Sequence, residues 1–168
     1  PSDRPLPLFE IAADAKFELS PDARWARADD FKAASHGGLL ARIRDRFGPG
    51  ASAFDFDKDG DLDLFLPAYA VAEDHLRDTL FRNDGQNRFV DITAAAGLAD
   101  TRESIGCAVG DFDADGFSDL YTTAVGGNHL FRNTGGSGFE DVTEQAGVAE
   151  SDSVSLGAAL LDVDHDGD

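Results

Sequence analysis

Asp55-Phe56-Asp57-Lys58-Asp59-Gly60-Asp61-Leu62-Asp63 decides the fold, because the chain writes it again. Asp111-Phe112-Asp113-Ala114-Asp115-Gly116-Phe117-Ser118-Asp119 is the second copy, and Asp162-Val163-Asp164-His165-Asp166-Gly167-Asp168 begins a third. Alternate carboxylates, a glycine at the sixth place and a carboxylate at the ninth are what a loop needs to wrap a hard cation in oxygen. Such a loop is hard to keep compact when empty. Two carboxylates about 4 Å apart repel by roughly 4 kcal/mol at a surface-like dielectric. A cation is therefore expected to be part of the fold.

The repeats extend beyond the acidic loops. Gly50, Gly106 and Gly157 each stand five residues before the first aspartate of their loop. The small and apolar residues between, Ala51–Phe54, Cys107–Gly110 and Ala158–Leu161, predict short buried strands. After the loop come Leu62-Asp63-Leu64-Phe65-Leu66 and Asp119-Leu120-Tyr121-Thr122-Thr123, both rich in strand formers. Leu80-Phe81-Arg82-Asn83-Asp84-Gly85 then matches Leu130-Phe131-Arg132-Asn133-Thr134-Gly135, and the Asn-x-Gly pieces predict hairpin turns. The return strands are Phe89-Val90-Asp91-Ile92-Thr93 and Phe139-Glu140-Asp141-Val142-Thr143, each followed by a small-residue tail with a glycine.

One unit thus reads strand, acidic loop, strand, variable connection, strand, hairpin turn, strand. The spacing is 56 residues from Asp55 to Asp111 and 51 from Asp111 to Asp162. Four antiparallel strands at this period predict an all-β fold, a fragment of a β-propeller built from four-stranded blades. The expected blades are residues 50–100 and 101–150, with a third starting at 151–168. The longer first connection, Pro67 to Asp78, reads as a surface loop. Residues 1–49 form a separate N-terminal segment. In it Phe9-Glu10-Ile11 suits a degenerate last strand of a preceding blade, and Asp22 to Phe47 suits one or two amphipathic helices.

The expected ligands follow from the loop pattern. In loop one Asp55, Asp57, Asp59 and Asp63 offer side chains, and Asp61 offers its backbone carbonyl. In loop two Asp111, Asp113, Asp115 and Asp119 offer side chains. Phe117, at the seventh place, offers only a carbonyl, which supports the same role for Asp61. Loop three supplies Asp162, Asp164, Asp166 and Asp168. All-oxygen, carboxylate-rich ligation selects calcium or magnesium over zinc or copper, and calcium accepts the looser geometry. An EF-hand needs a bidentate glutamate at position twelve and flanking helices. Position twelve here is Leu66 or Thr122, and the flanks read as strands. Solvated acidic turns that bind nothing are the plainer alternative. Copies in register with the same flanking strands argue against it.

These units resemble the FG-GAP and VCBS-type repeats of integrin-like β-propellers. The Leu-Phe-Arg-Asn-x-Gly block with its following Phe-x-Asp-(Ile or Val)-Thr is especially similar to repeats of the bacterial ASPIC/UnbV group and the related cartilage acidic protein. The resemblance covers roughly Gly50 to Asp168 and implies a calcium-stabilised propeller, commonly of seven blades, in an exported or surface protein. It places the calcium aspartates on the positions already named. The N-terminal 1–49 segment does not share it.

Composition sets the remaining bounds. A chain of 168 residues with 42% hydrophobic content is enough for a domain with a real core. A net charge of −19 argues against nucleic-acid or anionic-membrane partners, which demand basic patches. The single cysteine, Cys107, allows no intrachain disulfide and reads as a small core residue. No apolar run approaches a membrane span, and the chain carries no signal peptide and no methionine. It reads as a piece of a longer protein. His36, His75, His129 and His165 fall at no zinc or catalytic spacing, and Arg82 and Arg132, at one blade position, read as structural contacts.

The functional expectation is a non-catalytic calcium-binding module, secreted, periplasmic or on the cell surface. It would bind a protein or glycan through loops of one face and pack against the remaining blades of a longer chain. The alternative is a propeller-scaffold enzyme, a lyase, hydrolase or oxidoreductase whose catalytic residues lie largely outside this segment.

Overall fold

The structure, a computed structural model, describes residues 15–26, 30, 42–43, 50–72, 75–99, 104–149 and 153–161. Its strands are β1 (Lys16–Glu18), β2 (Ala23–Trp25), β3 (Ser52–Phe54), β4 (Asp63–Ala72), β5 (His75–Asn83), β6 (Arg88–Asp91), β7 (Ser104–Gly110), β8 (Asp119–Ala124), β9 (His129–Asn133) and β10 (Phe139–Asp141). Strands β3, β4, β5 and β6 pair consecutively and antiparallel, and β7, β8, β9 and β10 do the same. The fold is all-β, two successive four-stranded units of the kind that make propeller blades. Their strands alternate with the acidic loops and Asn-x-Gly turns where the sequence places them.

One core serves both blades. Phe54, Phe56, Phe65, Leu80 and Leu98 of the first pack with Leu120, Phe131 and Phe139 of the second. The Phe56 and Phe139 ring centroids lie 5.2 Å apart across the junction. Burying each such side chain is worth about 1.5–3 kcal/mol, so neither blade is complete without a neighbour. On the inner edge the repeated glycines meet. Gly50 N donates to Ile105 O, and a Cβ on Gly50 would lie 2.9 Å from Gly106 Cα. A Cβ on Gly106 would in turn lie 3.1 Å from Leu156 O. Glycine recurs there because successive inner strands approach backbone to backbone.

Three expectations change. The Pro67–Asp78 stretch is not a surface loop. β4 runs through it to Ala72 and β5 starts at His75, with a register shift between Leu66 and Ala70. Proline is tolerated because the ladder is already broken at that bulge, and Ala68, Val71 and Leu76 form a second small core with Ile43 and Ile105.

Asp22–Trp25 is not helical. Asp22 lies in a turn and β2 pairs antiparallel with the far half of β4, alongside β3 on the same edge. A sheet edge left open by the short β3 outweighs the weak helical pattern. Asp30, Arg42 and Ile43 carry helical backbone, and the rest of the expected helices lies outside the described residues. So does Phe9-Glu10-Ile11.

Ala158–Leu161 forms no ladder and is exposed. In the two formed blades the first strand pairs with the one after its loop, and no such strand follows Leu161 among the described residues. The third unit meets blade two through the Val125–Val154 bridge, the backbone hydrogen bonds beside it, the Asn128–Ser155 side-chain bond and close approaches of Leu156 to Gly106 and Leu160 to Gly110.

Candidate metal centre

Each acidic loop joins the first two strands of its blade and folds back over their ends. The fourth and sixth residues adopt the left-handed region in both copies: Lys58 at φ 61° and Gly60 at 93°, Ala114 at 56° and Gly116 at 91°. Glycine at the sixth place is what lets the chain turn so tightly. The carboxylates then organise the turn themselves. Asp55 Oδ2 accepts from Gly60 N at 3.1 Å and Asp59 Oδ1 from Asp61 N at 2.8 Å. The second loop repeats this, with Asp111 Oδ2 accepting from Gly116 N at 2.7 Å and Asp115 Oδ1 from Phe117 N at 2.8 Å.

The geometry brings Asp55, Asp57 and Asp59 together, with a carboxylate oxygen of each within 4.8 Å of the others, and does the same for Asp111, Asp113 and Asp115. Asp63 and Asp119, at the ninth place, are wholly buried beneath them. Each clamps two backbone amides: Asp63 holds Phe56 N at 2.7 Å and Asn83 N at 2.9 Å, and Asp119 holds Phe112 N at 2.9 Å and Asn133 N at 2.7 Å. Their role here is to tie the loop to the third strand of its blade. Asp61 is exposed at the loop tip, and Phe117 lies beneath the Lys58 ammonium, 4.1 Å from the ring centroid. Asp162, Asp164, Asp166 and Asp168 lie outside the described residues.

Electrostatics oppose these clusters when they stand alone. Burial pushes the Asp63 carboxyl above its ordinary value, and the charges of Asp57 and Asp59 push it further, against the pull of the Asn83 and Phe56 amides. Burial does the same to Asp119, reinforced by Asp113 and Asp115. Asp55 Oδ1 and Asp57 Oδ1 are buried with no hydrogen-bond partner among the described residues. An orphaned carboxylate oxygen is costly unless something positive meets it. Hard, anionic, all-oxygen donors fit a hard divalent cation.

The repeated block beside the loops acquires roles that strand reading missed. Asn83 and Asn133 hold the hairpin: Asn83 Oδ1 accepts from Gly85 N and Asn133 Oδ1 from Gly136 N. Asp91 and Thr93 form a side-chain turn in which Thr93 Oγ1 accepts from Leu80 N, and Asp141, Thr143 and Leu130 repeat it. Asp78 Oδ2 accepts from Ser104 Oγ at 2.7 Å, and Asn128 Nδ2 donates to Ser155 Oγ at 2.9 Å, so one latch joins each unit to the next. Aligning the repeats puts these residues at matching places, which is the signal that was available. Arg82 pairs with Asp84 and Arg132 with Glu140 on the surface, as the structural reading of both expected. Cys107 is partly buried with Sγ 3.0 Å from Ser52 Oγ, and burial raises its thiol pKa.

Tandem four-stranded blades, each with an acidic loop between its first and second strands, define a β-propeller repeat module. Residues 55–122 match the FG-GAP-like repeat family. That match runs from the first aspartate of loop one through all of loop two, so it covers both formed sites and the blade between them. No curated protein matches the chain. No helix among the described residues is long and apolar enough to cross a membrane.

Proposed function

We propose that this chain is a non-catalytic, calcium-binding β-propeller repeat module of a secreted, periplasmic or cell-surface protein, with blades at 50–100 and 101–150 and a third beginning at 151. Its ligand is a protein or glycan met by the loops of one face, and further blades of a longer chain complete the ring. The Leu80–Gly85 and Leu130–Gly135 blocks support kinship with the ASPIC/UnbV group within the repeat class.

The observation that carries the calcium reading is the pair of buried oxygens of Asp55 and Asp57, without a hydrogen-bond partner among the described residues, inside a carboxylate trio that recurs on the next blade. Asp55, Asp57, Asp59 and Asp63, with the Asp61 carbonyl, would hold one ion. Asp111, Asp113, Asp115 and Asp119, with the Phe117 carbonyl, would hold a second. The ion supplies charge neutralisation at the point where the first two strands diverge, and so stiffens the blade ends. Extracellular calcium modules bind at roughly 10⁻⁴–10⁻³ M. At ten times the dissociation constant one site adds about 1.4 kcal/mol, or roughly 3–5 °C in a chain of this size. Excess chelator is therefore expected to lower the Tm by at least that much, and calcium to restore it. A melting curve that ignores both would end the calcium reading.

A further inference from the structure

Resting on the calcium reading, we infer that the two loops bind their ions cooperatively, with Asn133 as the positioning residue that links them. The Asn133 side chain is almost wholly buried, and every polar group it carries is committed. Its Nδ2 donates to Phe56 O in loop one at 3.0 Å and to Ser118 O in loop two at 3.1 Å. Its backbone N–H donates to Asp119 Oδ1, and its Oδ1 accepts from Gly136 N. One amide group thus spans the second residue of the first loop and the eighth of the second, while its own main chain grips the ninth.

A steric contact reinforces the link. A Cβ on Gly136, in the hairpin that follows Asn133, would lie 2.9 Å from Asp57 Cα. The hairpin of blade two therefore rests directly on a metal-ligand position of blade one. The matching Asn83 reaches Leu62 O, Asp63 Oδ1 and Gly85 N within its own blade. Among the described residues, Asn133 and not Asn83 sends its side-chain amide across a blade junction into an acidic loop.

An ion in loop one fixes Asp57 and its neighbour Phe56. Fixing Phe56 O fixes Asn133, and Asn133 holds Ser118 and Asp119 in place for the second ion. The first ion thus covers ordering that the second no longer has to supply, which is positive coupling without any change of fold. Linkage makes the effect reciprocal.

The test is calcium calorimetry on the full chain and on two single-loop variants, Asp59→Ala and Asp115→Ala, each of which alters an exposed residue. Asp59→Ala is expected to weaken loop two about fivefold or more, and Asp115→Ala to weaken loop one by the same factor. In Asp115→Ala protein, calcium filling loop one alone is expected to shift the NMR resonance of the Asn133 side-chain amide. If each loop keeps its affinity when the other is disabled, or if that resonance stays put as loop one fills, the coupling is wrong while the calcium reading survives. If the unaltered chain takes up no calcium, the underlying reading fails and the coupling falls with it.

Discussion

Blade one and blade two carry the same motifs at the same places, yet different material closes their exposed faces. Blade two leans on blade one: Phe139 meets Phe56, and Phe139 N donates to Ala96 O in the tail of the preceding unit. On blade one the corresponding place is taken by the short N-terminal strands. β1 pairs parallel with β6, Lys16 N donates to Asn87 O, and the Phe17 ring stacks on Phe89 at 4.7 Å. Phe17 also meets Phe81 edge-on, and Trp25 lies over the same ring at 5.6 Å. Phe17 and Trp25 remain 38% and 43% exposed, whereas Phe56 is 2% exposed. The repeat therefore fixes an aromatic docking surface on each blade, and a segment outside the repeat can fill it, though less completely.

The aromatic contact at the blade junction carries the largest expected effect. Phe56→Ala removes a fully buried ring from the blade junction and is expected to cost about 3–5 kcal/mol in urea unfolding. Phe17→Ala, in the matching position on the other face, is expected to cost less than half as much because the ring is already part-wetted. Equal losses would mean that the N-terminal strands are as integral as a blade.

The outer-strand carboxylates differ between the blades in the same sense. The Asp91 side chain is 1% exposed and pairs with Arg77 at 2.5 Å, and Ser20 N and Oγ both donate to Asp91 Oδ2. Asp141 is half exposed and pairs with His129 at 3.1 Å. Asp91→Asn leaves a buried arginine without its counter-charge, a loss of about 3 kcal/mol. Asp141→Asn is expected to cost under about 1 kcal/mol. Burial works against ionising both groups, but the Thr93 hydroxyl and amide with Ser20 and Arg77 hold Asp91 below its ordinary value, and Thr143 with His129 do so for Asp141. A carboxylate lowered on folding contributes stability that is present above its unfolded pKa of about 3.9 and is lost as pH falls through the folded value. Unfolding followed from about pH 6 down to pH 2 is expected to show a shallower acid loss in Asp91→Asn than in the parent. An unchanged slope would remove the pair from the account.

The smallest effect tests the inner edge. Gly106→Ala places a Cβ 3.0 Å from Thr123 Oγ1 and 3.1 Å from Leu156 O, an overpacking worth about 1–3 kcal/mol. Gly157→Ala, at the same repeat position, meets nothing within 4 Å among the described residues and is expected to stay within about 0.5 kcal/mol. Similar destabilisation at both sites would deny that the cost at Gly106 comes from the close approach of the next unit's backbone.

What the sequence made legible follows from repetition. Asp55–Asp63 and Asp111–Asp119 announced the loops, and Gly85 and Gly135 announced the hairpins, because a sharp turn needs particular residues at fixed offsets. β1 and β2 escaped because strands of three residues carry no usable period, and their place is set by a sheet edge and an aromatic surface built far along the chain. The extension of β4 past Pro67 escaped for a related reason: a proline at a bulge looks like a proline in a loop. At the candidate site the carboxylate trios were readable. The use of Asp63 and Asp119 as amide clamps was not, since it depends on Asn83 and Asn133 arriving from a distant strand.

The most direct measurement is a crystal structure of the chain grown with calcium. An ion is expected in each formed loop, within about 2.3–2.6 Å of oxygens from Asp55, Asp57 and Asp59 in one and from Asp111, Asp113 and Asp115 in the other. Well-ordered loops holding only water at millimolar calcium would contradict it.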